Sequence, residues 1–117
     1  MMLEYTAHAG AAGVRVLAAP VSAQTTTAGG GVESHASFAP LAARTADQAL
    51  DSASVAIAAE LVVAVRALRI RNLEPSGSPS AELYARAAAV LDADMEDRPL
   101  AADVEAARRL VYERDAG

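Results

Sequence analysis

The chain has 117 residues, of which 53% are hydrophobic but only 3% aromatic, and it carries a formal net charge of -5. That acidic balance excludes the basic footprint of a nucleic-acid-binding domain and the polybasic patch of a protein held on an anionic membrane surface. With no cysteine, a disulfide framework and thiolate chemistry are excluded as well, which fits a reducing, cytoplasmic setting.

The residues predict an all-α chain of four helices. The opening Met1-Met2-Leu3-Glu4 lacks the basic-then-apolar layout of a signal peptide. A first helix is expected over about Leu3 to Ala12, with Gly13 as its stop, then a short extended piece from Val14 to Leu17. Helical character begins almost at the first residue, without a capping residue. A loop follows from Ala18 to about Gly31, where Thr25-Thr26-Thr27 and Gly29-Gly30-Gly31 disfavour a helix.

The second predicted helix runs from Val32 or Glu33 to Arg71, roughly 55–60 Å at 1.5 Å per residue. Pro40 lies within it and implies either a bend or a late start near Ser37. Ile57, Leu61, Ala64 and Leu68 share one face, Ala58, Val62 and Val65 the next, and Val55, Ala59 and Val63 widen the stripe. A helix apolar most of the way round belongs in an interior. The short remaining helices cannot clothe it, so an obligate oligomer is expected. Its apolar run is broken by Glu60 and is too short to span a bilayer.

Arg66, Arg69 and Arg71 close this helix and read as a solvated face opposing the negative end of the dipole. Glu74 to Ser80 is a turn-rich linker, with Ser78 placed to cap a third helix and Pro79 in its first turn. Leu83, Ala87, Val90 and Leu91 form the apolar face of that helix. The acidic connector Asp92 to Asp97 lacks the spacing and the glycine of a calcium loop. A fourth helix is expected from about Leu100 to Glu113, with Leu100, Val104, Ala107 and Val111 on one side.

Chemistry concentrates at the loop–helix junction. Glu33 falls where backbone N–H groups lack partners and the helix dipole is positive, which favours its carboxylate form. It could accept a proton or hold an ammonium. From the residues alone the leading reading is a capping arrangement, with Gly30 as the N-cap and Glu33 reaching back to it. His35 is placed either to orient Glu33 or to bond the loop backbone. His8, among alanines, reads as a packed side chain. The two histidines, without cysteine, make no zinc site. The triple glycine lacks the Lys-Ser/Thr of a nucleotide loop.

This pattern resembles the C-terminal core of the histidine and aromatic amino acid ammonia-lyases and aminomutases, enzymes that use a methylidene-imidazolone electrophile. In that family the stretch runs Pro-x-Ser, a Ser/Thr-rich loop, Asn-Gln-Glu-Asp-His-x-Ser-Met, then a long helix. Pro20 and Ser22 match the start, and Glu33, His35 and Ser37 match the core. Glu60 matches a glutamate often found in the long helix, and Glu4-Tyr5-Thr6 matches Gln-Tyr-Thr of a preceding helix. Asp97-Arg98-Pro99-Leu100 with Asp103-Val104 is similar to the family's closing segment. Gly31 and Val32 stand where the family has Asn-Gln, and Ser34 where it has Asp.

The resemblance implies that residues 1–117 are a single partial domain of an oligomeric helical bundle. It implies a catalytic role for Glu33, facing the electrophile and the substrate amine, with Gly31, Val32 and His35 lining or backing the pocket. The electrophile forms from Ala-Ser-Gly, a triplet absent from these residues. A larger lyase-like subunit is therefore expected to supply it, along with the base and the carboxylate clamp, in a hetero-oligomer with a tetrameric core. The resemblance thus implies one subunit of a split ammonia-lyase or aminomutase acting on an amino acid. The other expectation is a non-catalytic helical assembly subunit.

Overall fold

A computed structural model describes residues 2–24 and 38–112. They form α1 (Met2–Leu17), a 3-10 turn (Val21–Gln24), α2 (Ala39–Ile70), α3 (Pro79–Val90) and α4 (Ala101–Tyr112). The all-α class and the long central helix agree with the sequence reading.

The first correction is at Gly13. It does not stop α1, and Val14 to Leu17 continue the helix rather than forming an extended piece. The reason is tertiary. A Cβ built on Gly10 would lie 2.7 Å from the carbonyl oxygen of Ser52 and 2.9 Å from the amide nitrogen of Ala56. A Cβ on Gly13 would lie 2.8 Å from the Ser52 hydroxyl. The glycines let α1 run antiparallel to α2 in close backbone contact, and that packing outweighs their poor helix propensity.

α2 begins at Ala39, with Phe38 as N-cap and Pro40 in the first turn, where no intrahelical N–H is lost. This is the late start, not the bend. Its 32 residues span about 48 Å. It ends in a Schellman motif. Leu73 donates its N–H to Leu68 at 2.9 Å and Asn72 donates to Arg69 at 3.0 Å, with Asn72 at φ 53°.

Ser78 occupies the N-cap of α3 in an extended conformation, but its hydroxyl makes no capping bond; Pro79 opens the helix. The cluster of buried residues joins Ala58, Val62 and Val65 of α2 to Ala87 of α3, Leu91 just beyond it, and Ala107 of α4. The stripe expected to lead, Ile57-Leu61-Ala64-Leu68, does not: Ile57 and Ala64 are exposed while Ala58, Val62 and Val65 are covered. Likewise Leu83 and Val90 of α3 face out, and Tyr84 packs against the cluster instead.

The described core is made of small side chains, and the only fully buried ones as large as valine are Val62 and Val65. Leu50, Ile57, Val63 and Ile70 of α2 are each about half exposed or more. The radius of gyration is 19.6 Å, with extents of 67 × 35 × 20 Å. A compact domain of this length would have a radius near about 13 Å. Among the described residues no helix is long and apolar enough to cross a membrane.

Gly10→Ala should therefore destabilise the chain by about 1–3 kcal/mol, because backbone atoms block the added methyl. Gly13→Ala should cost less, since the Ser52 hydroxyl can rotate away. Urea titration followed by helical circular dichroism checks the order of the two. A Gly10→Ala chain more stable than the parent would refute the close crossing.

Candidate functional site

Gly31, Val32, Glu33 and His35, the residues that carry the sequence-based site, lie outside the described residues. The described chain holds the two ends of the segment that bears them. The 3-10 turn closes at Gln24, and Phe38 starts α2. Of the other residues singled out, His8 is exposed rather than packed, and its Nε2 lies 3.9 Å from Glu4 Oε1, one helical turn away.

Glu60 is exposed on α2 and lines an open groove of about 1160 Å³. The floor is Val55, Ala59, Val63 and Ala64 of α2. Leu3 and Ala7 of α1 form one wall, and Leu100 and Val104 the other. Glu4, Asp97, Arg98, Glu105 and Arg108 stand around it.

The arginines that the sequence assigned to a solvated face do structural work. Arg69 donates to the carbonyls of Ala88 at 2.9 Å, Leu91 at 3.3 Å and Asp92 at 2.6 Å, so it caps the C-terminus of α3. Arg66 donates to the carbonyls of Asp94, Met95 and Glu96 at 3.0 to 3.2 Å. One turn apart on α2, the two guanidinium groups pin the acidic connector by its backbone. The connector's carboxylates bond its own amides: Asp92 Oδ1 accepts from Asp94 N, and Asp94 Oδ1 from Glu96 N, both at 2.9 Å. These are successive Asx turns, a reason for acidic residues that needs no metal.

Sequence reasoning missed the ion pair beside this connector. Arg98 donates to both carboxylate oxygens of Asp103, at 2.6 and 3.2 Å. Asp103 is buried at 4% exposure, and its Oδ1 also accepts from the Asp92 amide at 3.2 Å. The Arg98 hydrogen bond, its positive charge and the Asp92 amide together hold the Asp103 carboxyl below its ordinary value of 3.8, against the opposing effect of burial. Arg98 is in turn kept charged more firmly than usual, first by its bond to Asp103. The signal was present as Arg-Pro-Leu followed by Asp at a helix start, where a carboxylate is favoured.

A second polar junction ties α4 to α2. Arg108 Nε donates to Ser54 Oγ at 3.1 Å, and its terminal nitrogen pairs with Asp51 Oδ1. The Ser54 hydroxyl donates to the Asp51 carbonyl at 2.6 Å, so this buried group is satisfied. Tyr112 donates to the same Asp51 oxygen at 3.4 Å.

The pair Arg98–Asp103 fixes a pH dependence. A depressed carboxyl pKa contributes stability above the unfolded value, and that contribution is lost as pH falls through the folded value. Stability should thus decline below about pH 4. Asp103→Asn should lower the melting temperature at neutral pH by several degrees and flatten this acid limb. Calorimetry from pH 7 to pH 3 tests it; an unchanged acid limb would remove Asp103 as its source.

Comparison with known proteins gives a consistent result. The family model of the aromatic amino acid lyases matches residues 1–89. The chain is 31% identical to a histidine ammonia-lyase of Natranaerobius thermophilus over 97% of its own length, which is 22% of that protein. It is 35% identical to a histidine ammonia-lyase of Streptomyces coelicolor over 95% of its length, again 22% of that protein. For one of Anaeromyxobacter dehalogenans the identity is 33%, over 97% of this chain and 22% of the relative. The chain thus spans about a fifth of the length of these relatives, in their C-terminal part. No solved structure matches.

Proposed function

From the premise that this chain belongs to the aromatic amino acid lyase family, we propose that it is the small component of a composite amino acid ammonia-lyase or aminomutase, completing an active site shared with a larger lyase-like polypeptide. One observation carries the reading. Nearly the whole chain matches the C-terminal fifth of histidine ammonia-lyases. The half-exposed apolar residues of α2 and the extended shape support it, since both call for further helices.

In this reading the electrophile is a methylidene-imidazolone, which polarises the amino acid substrate for loss or migration of its amine. It forms from Ala-Ser-Gly, and that triplet does not occur in these 117 residues. The present residues therefore do not fit the group, which belongs to the larger polypeptide; no step on it is assigned to this chain. What the chain contributes is Glu33. Its carboxylate holds the substrate ammonium or accepts a proton. His35 orients that carboxylate, and Gly31 and Val32 shape the wall with backbone rather than side-chain polarity. The cytoplasm is the compartment proposed.

The replacement of Asn-Gln by Gly31-Val32 favours a second reading, a non-catalytic assembly subunit that stabilises the larger polypeptide. One experiment separates the two. The chain is co-expressed with a lyase-like polypeptide carrying Ala-Ser-Gly, and histidine, tyrosine and phenylalanine are assayed for ammonia release or a β-amino acid product. Glu33→Gln should cut turnover by about 10²- to 10⁴-fold while the complex still assembles. Full turnover in the variant complex rejects the catalytic role and leaves assembly.

A further inference from the structure

We propose that the groove between α1, α2 and α4 receives an amphipathic helix of the larger lyase-like polypeptide, with a lysine or arginine of that helix set on Glu60. The proposal rests on the composite reading above and names the surface and the charge through which the two components meet.

Size and openness point to a polypeptide rather than a metabolite. Small-molecule sites are mostly enclosed and run to about 1,000 Å³. This groove is partly open to solvent and holds about 1160 Å³. A helix about 10 Å across would fill that volume with roughly three turns. The floor of valine and alanine suits a close-packed helix, and Val63 remains 50% exposed on it.

Charge decides what kind of helix. The two arginines at the groove are already paired, Arg98 with Asp103 and Arg108 with Asp51 and Glu105. Among the described residues Glu60 makes no hydrogen bond or ion pair. It stands one turn before Val63 and Ala64 on α2 and lines the same groove. Any helix that covers Val63 takes Glu60 out of water. A buried carboxylate without a partner is strongly unfavourable, so the occupant must bring a cation. A second copy of this chain is the wrong partner on the same ground. It carries the same net charge of -5 and would set like charges together.

The test uses the co-purified complex. Val63 is replaced by the photo-crosslinker p-benzoyl-phenylalanine, and the linked peptide is identified by mass spectrometry. The expected peptide belongs to the larger polypeptide and has apolar residues at helical spacing with a lysine or arginine beside the cross-link. Glu60→Lys should weaken association by about 30-fold or more, and Glu60→Gln by about ten-fold. Reversing the identified partner cation to glutamate should restore binding to Glu60→Lys. Glu60 is exposed in the free chain, so circular dichroism should report unchanged helicity for both variants.

If the complex forms but Val63 links to another copy of this chain, the groove assignment is overturned while the composite reading stands. The same holds if Glu60→Lys binds as tightly as the parent. If no complex forms at all, both are overturned.

Discussion

The buried seam Ala58–Val62–Val65 along α2 is where the flanking helices come together, and its small side chains constrain everything else in the molecule. Alanine and valine let helices approach closely but remove little apolar area from water per residue. The glycine crossing of α1 follows the same logic: Gly10 and Gly13 shorten the distance to α2 and leave no room for a methyl at Gly10. The described chain therefore gains cohesion from close approach and from polar staples rather than from bulk. A helix of 32 residues held this way keeps half-exposed leucine, isoleucine and valine along its length.

The staples explain why so much charge sits in a chain of this composition. Arg66 and Arg69 bind backbone carbonyls rather than carboxylates. Arg98 and Asp103 form a two-point pair behind the connector, and Arg108 locks α4 onto Asp51 and Ser54. Arg66, Arg69 and Arg108 each tie a loop or a short helix to α2, and Arg98 ties the connector to α4. Such bonds add little net stability singly, but they remove alternative registers that alanine-rich surfaces would tolerate. Among the described residues they leave uncovered a groove lined by the carboxylate of Glu60.

That division of labour agrees with an element of a larger enzyme. The match to the C-terminal fifth of histidine ammonia-lyases places this chain in the aromatic amino acid lyase family. Glu33 and Glu60 then have distinct proposed roles: one carboxylate for chemistry, the other for recognition in the middle of α2.

Sequence alone determined the helical class, the dominance of one long apolar helix and the positions of α3 and α4, because 3.6-residue periodicity and proline are local signals. It also carried the family resemblance, since Pro20, Glu33, His35 and Ser37 keep their spacing whatever the fold does. It failed at Gly13, where local propensity argues for a stop and only the approach of Ser52 reveals a close crossing. It could not choose which of several apolar stripes on α2 faces inward, because adjacent stripes of similar apolar content share that side of the helix. Nor could it show that Arg66, Arg69 and Arg98 have partners: those lie on elements 5 to 30 residues away, and only tertiary packing brings them within reach.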